Sequence, residues 1–112
     1  MAKESKLSPR CPIRTTLEML GGKWRLLIIS EIGSGQVRYG ELKRGIPDIS
    51  EKMLVQELKN LMESDLVTRK NFGEVPPRVE YSLTHKGQKA LDLIEPIKNF
   101  GLEYMESLKL NS

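Results

Sequence analysis

Residues 45–50, GIPDIS, interrupt a helical pattern with a turn that neither neighbour can absorb. Gly45 suits a helix end. Pro47 cannot continue a helix, because it has no amide proton and its ring collides with the preceding turn. Ser50 is a good N-cap, so a new helix is expected over about Glu51–Ser64. Within it Leu54, Leu58, Leu61 and Met62 line one core-facing stripe. Ahead of the turn, Glu41–Arg44 has room for one helical turn or slightly more. A short helix, a tight turn and a longer amphipathic helix leave few folds open.

The flanking chain narrows them further. A first helix is expected from Pro12 to Leu20, with Cys11 at the N-cap, proline in the first turn and the Gly21–Gly22 pair at its end. A second follows over roughly Lys23–Ile32, with Trp24, Leu27, Ile28 and Ile32 inward. Val37–Tyr39 reads as a short extended piece. After the long helix the texture changes: LVTRKNF and RVEYSL are β-prone and flank GEVPP, as in a hairpin. In its second strand Val79, Tyr81 and Leu83 share one face and Glu80 and Ser82 the other. Thr84 can cap a last helix starting near His85, in which Pro96 is the expected kink or break. Leu91, Ile94, Ile97, Phe100, Leu102 and Met105 give this terminal segment more apolar surface than one small domain can bury, which points to a second copy of the chain. The expected fold class is α+β and mainly helical: a winged helix-turn-helix with a two- to three-stranded β wing and terminal dimerisation helices. Residues 1–10 read as a flexible arm, and 11–112 as the winged domain.

Composition excludes more than it selects. The chain has 112 residues, one cysteine, one histidine and a net charge of +3. It is long enough for one domain. The N-terminus MAKESKLSPR does not resemble a signal peptide, and the longest apolar run is too short to span a bilayer, so a cytoplasmic protein with no membrane contact is expected. No nucleophile–base pair, metal-ligand cluster or phosphate loop is legible, so neither enzyme, metal nor cofactor is expected. The positive surplus lies in residues 1–35, which carry six Lys/Arg and three Asp/Glu, whereas residues 36–80 carry eight of each. A nucleic-acid partner must therefore be argued from where particular side chains project.

The helix after the turn offers such side chains. Ser50, Glu51, Lys52, Val55, Gln56 and Lys59 are left off its apolar stripe. The DNA major groove admits a helix and presents a distinct donor and acceptor pattern for each base pair. Gln56 can pair with adenine, Lys52 can reach guanine or phosphate, and Val55 can touch a thymine methyl. Glu51 and Glu57 dilute the basic character of that face. Arg38, Lys43, Arg69, Lys70 and Arg78 are the expected wing and backbone contacts, with the paired prolines limiting the freedom a docking loop would lose. A solvated amphipathic helix and an ordinary surface hairpin are the competing readings.

CPIRTTLEMLGGKW, RYGELKRGIPDIS followed by KML, ELKNLMESDLVTRK and EVPPRVEYSLTHKG together resemble the signatures of HxlR-type transcriptional regulators, small bacterial winged-helix proteins. The resemblance runs from Cys11 to about Gly101. It implies a homodimer joined chiefly through the terminal helices and binding double-stranded DNA at a near-palindromic operator, as a repressor or an activator. It also implies that Cys11 stands where some members sense electrophiles, quinones or oxidants. A thiol at a helix N-terminus between Arg10 and Arg14 is compatible with that role, since the helix dipole and nearby positive charge favour the nucleophilic thiolate. A packed thiol is the plain alternative for Cys11. For the whole chain the alternatives are a winged-helix protein-interaction module and a regulator controlled by a non-covalent small ligand.

Overall fold

The computed structural model describes residues 11–110; the expected arm at 1–10 lies outside them. The chain opens with helix α1 (Pro12–Leu20), α2 (Arg25–Ile32), strand β1 (Gln36–Arg38), α3 (Tyr39–Gly45) and α4 (Glu51–Glu63). It continues with β2 (Val67–Asn71), β3 (Val79–Leu83), α5 (His85–Leu91) and α6 (Ile94–Leu110). The three strands form one antiparallel sheet in the order β1-β3-β2, so the piece preceding the helix-turn-helix pairs with the far strand of the hairpin. Val37 and Arg69 both stand opposite Tyr81, while Arg38 and Lys70 both stand opposite Glu80.

Local chemistry sets the boundaries. Cys11 Sγ accepts the Arg14 amide at 3.5 Å, Ser50 Oγ accepts the Met53 amide at 3.1 Å, and Thr84 Oγ1 accepts the Gly87 amide at 3.0 Å. Each satisfies one amide that the first turn of a helix leaves without a partner. Helix α4 ends in a Schellman arrangement: the Leu66 amide donates to the Leu61 carbonyl and the Asp65 amide to the Met62 carbonyl, with Asp65 at φ 60°. This closure turns the chain directly into β2. The Thr84 hydroxyl donates to the Asp65 carbonyl at 2.7 Å and ties the turn to the start of α5. Gly87 is required there, because a Cβ would collide with the Leu66 carbonyl oxygen.

Leu54, Leu58 and Leu61 of α4 pack with Ile28, Ile29 and Ile32 of α2 and with Leu42, Ile46 and Ile49 around the turn. Tyr81 and Leu83 close the core from the sheet. Two expectations need correction. Leu27 is exposed, and Ile29 takes the inward position. Leu26–Ile29 is apolar on every side, so periodicity could not select the face. The terminal helix is broken at Asp92–Leu93, before Pro96 rather than at it. Pro96 lies in the first turn of α6, where its missing amide costs nothing and its ring excludes a continuous helix through residue 92. Among the described residues no helix is long and apolar enough to cross a membrane.

Candidate nucleic-acid interface

Helix α3 and the turn hold α4 against the core by one side only. Leu42, Ile46 and Ile49 are buried beneath it, and the Ile46 amide closes α3 on the Leu42 carbonyl at 3.1 Å. Tyr39, at the start of α3, has its phenol pKa raised by burial and, secondarily, by the Glu51 carboxylate at the start of α4. The opposite side of α4 is open: Glu51, Lys52, Val55, Gln56 and Lys59 are all exposed, as expected, and Ser50 is exposed while its oxygen serves as the cap. Met53, which the sequence did not single out, joins them at 41% exposure.

Glu57 does not dilute this face. It is buried, and its carboxylate lies 3.3 and 3.4 Å from Arg25 Nε. Arg25 also donates through Nη1 to the carbonyls of Glu18 at 2.9 Å and Met19 at 3.3 Å, which the last turn of α1 leaves without helical donors. Neither Arg25, Glu57 nor Asn60, whose amide donates to Glu57 Oε1 at 2.8 Å, was expected to have a role. A signal for Glu57 existed: positions 54, 57, 58 and 61 follow the i, i+3, i+4, i+7 pattern of a buried stripe. Glu57→Ala should cost about 2–3 kcal/mol, since it strands a guanidinium that water reaches only in part. That cost lowers the melting temperature by roughly 10–20 °C for a domain of this size, measurable by thermal circular dichroism.

The hairpin is less uniformly cationic than expected. Arg69 and Lys70 are exposed on β2, and the Lys70 ammonium stands 4.8 Å from the Phe72 ring centre. Arg78, expected to point along DNA, is held by its own loop. Its guanidinium stacks 3.8 Å from the Phe72 ring centre and pairs with Glu74 at 3.1 Å and Glu80 at 3.8 Å. The clamp follows from Phe72 and Arg78 facing each other across the loop mouth, where the Phe72 amide donates to the Arg78 carbonyl. Lys43 Nζ reaches the Pro47 carbonyl at 3.4 Å, over the turn itself. Arg38 is exposed at the end of β1.

Cys11 is partly buried at the head of α1. Among the described residues no group of acidic, histidine or cysteine side chains could hold a metal ion. The profile of the HxlR-like helix-turn-helix family matches residues 19–109. The chain belongs to that family. It is a transcriptional regulator of helix-turn-helix fold and not an enzyme. It is 43% identical to MalR of Fusobacterium mortiferum over 101 residues, 89% of this chain and 95% of that one. Among solved structures, a Porphyromonas gingivalis W83 protein named for the MarR family of transcriptional regulators superposes with a TM-score of 0.81 at 53% identity, over 86% of this chain and 94% of its own. The redox regulator HypR in its reduced form also gives 0.81, at 32% identity over 88% of this chain and 98% of its own.

Outside the helix-turn-helix, apolar surface remains uncovered. Ile97, Phe100, Leu102, Tyr104, Met105 and Leu108 are exposed along α6, and Ile13 and Leu17 on α1. Leu91 packs on the core instead, and Ile94 is half-buried. A groove of about 330 Å³ between α2 and α6 is lined by Leu26, Leu27, Ser30, Ile94, Ile97 and Lys98.

Proposed function

We propose that the protein is a homodimeric, sequence-specific DNA-binding regulator that lays α4 in the major groove and responds to oxidants or electrophiles through Cys11. The observation that carries the reading is the one-sided burial of α4. Glu57 is turned inward to Arg25, and Lys52, Val55, Gln56 and Lys59 are left together on the open face, with Glu51 exposed at its start. A wide apolar helix face beside the domain supports a two-fold dimer, which would set two copies of α4 about one DNA turn, roughly 34 Å, apart. The likeness to HypR, a redox regulator, supports a sensing role for Cys11.

Selection from a random duplex library, followed by competition binding at several salt concentrations, tests the DNA reading. Gln56→Ala should relax preference at particular base pairs and cost about 1–3 kcal/mol on the selected site. With Arg78 clamped, the backbone contact falls to Arg69 and Lys70. Arg69→Ala should weaken all sequences alike and lower the salt slope by about one. Binding indifferent to both sequence and salt would favour a protein-interaction module instead.

A further inference from the structure

The buried pair under α4 continues to its open face. Gln56 Nε2 donates to Asn60 Oδ1 at 3.3 Å, Asn60 Nδ2 donates to Glu57 Oε1 at 2.8 Å, and Glu57 accepts from Arg25. We propose that Arg25, Glu57 and Asn60 are positioning residues that fix which end of the Gln56 amide faces outward, and so set the base that α4 accepts. The assignment rests on the reading of α4 as the DNA-contacting helix.

The chain of bonds has a polarity that begins at Arg25. A guanidinium has donors only, so the Glu57 oxygens must accept. Asn60 must then turn its amino group to Glu57, which leaves its oxygen for Gln56. Gln56 in turn must give one amino hydrogen to Asn60. Its carbonyl oxygen and its second N–H remain, one acceptor beside one donor. That pair matches the N6 donor and N7 acceptor of adenine in the major groove. Without the relay the amide is free to flip, and a flipped glutamine faces the same edge with donor against donor. The far end of the relay grips the last-turn carbonyls of α1, so the orientation of that helix is felt at Gln56.

Asn60→Ala cuts the relay while leaving the Arg25–Glu57 pair in place. It should reduce discrimination between adenine and its best competitor at the Gln56 position about tenfold. Affinity for unselected DNA and the salt slope should stay near those of the unsubstituted chain, and the melting temperature should fall by less than in Glu57→Ala, so that the loss read is one of base preference and not of fold. Added to Gln56→Ala, it should change nothing further. Arg25→Lys, which keeps the charge but has a single nitrogen in place of the Nε and Nη1 that serve the carboxylate and the carbonyls separately, should shift the Gln56 side-chain amide resonances in DNA-free protein. Unchanged base preference in Asn60→Ala alongside relaxed preference in Gln56→Ala would overturn this assignment alone. No base preference in the unsubstituted chain would overturn the reading of α4 and the assignment with it.

Discussion

Phe100→Glu is expected to convert the protein from a dimer at micromolar concentration to a monomer and to lower operator affinity by about a hundredfold or more. Helix α6 has 17 residues, about 25 Å of rod, and residues 95–109 are exposed except for Gly101. Ile97, Phe100, Tyr104 and Leu108 follow one another at three and four residues, so their side chains form a continuous strip. Phe100 is 73% exposed, and the groove beside Ile97 continues the strip onto Leu26 and Leu27 of α2. A second copy laid along this strip would desolvate it. A carboxylate at its centre then carries a desolvation cost with no partner charge to offset it. Losing the dimer unlinks the two half-sites, and linkage of that kind is worth on the order of 10²–10⁴ in affinity. Sedimentation velocity and operator titration check the two effects. The substitution touches no core residue, so the helical circular dichroism should persist. Leu91→Ala supplies the contrast: it packs on the core and should destabilise the fold by a few kcal/mol without a specific effect on association. An unsubstituted chain that sediments as a monomer at micromolar concentration would remove the basis for the dimer.

What could be read beforehand divides along a physical line. Helix starts at Cys11, Ser50 and Thr84 were legible because a cap is a local bond between a side chain and an amide two or three residues away. The strands were legible because Val79, Tyr81 and Leu83 alternate with polar neighbours. The face of α2 was not legible, since apolar residues on all its sides leave the choice to the rest of the core. Glu57 and Arg78 share one feature, although helical spacing alone places Glu57 on the buried stripe. Each is a charge whose direction is set by a partner distant in sequence or across a loop: Arg25 for the first, Phe72 and Glu74 for the second. Sequence position says where a charge is attached but not whether it is already spent. This bears on the candidate interface, because net charge over residues 36–80 is zero while Glu57, one of the two acids on that side of α4, is turned inward and Glu51 stays exposed.

Treating the protein with a quinone is expected to change operator affinity by about a hundredfold in the unsubstituted chain and to leave Cys11→Ser unaffected. The thiolate sulfur adds to the quinone ring, forming one C–S bond, and the ring takes up the proton to become a hydroquinone thioether. No second cysteine is needed, and intact-mass measurement should show one adduct on the unsubstituted chain and none on the variant. Cys11 Sγ is the acceptor that caps α1, and bulk on the sulfur removes that cap and pushes on a helix whose outer face carries Ile13 and Leu17. At its other end α1 is held to α2 and α4 through Arg25, so a shift of α1 reaches α4 as well as the exposed apolar residues of α1 itself. Two-fold binding demands a fixed separation of the two copies of α4, and loss of the contacts at one half-site, about 3 kcal/mol, corresponds to roughly the hundredfold change. The oxidant diamide tests the same thiol by a second route: two thiols lose their hydrogens to diamide and join as a disulfide, either across the dimer or with an added small thiol. Equal responses from the two variants, or none from either, would leave Cys11 as a capping and packing residue only.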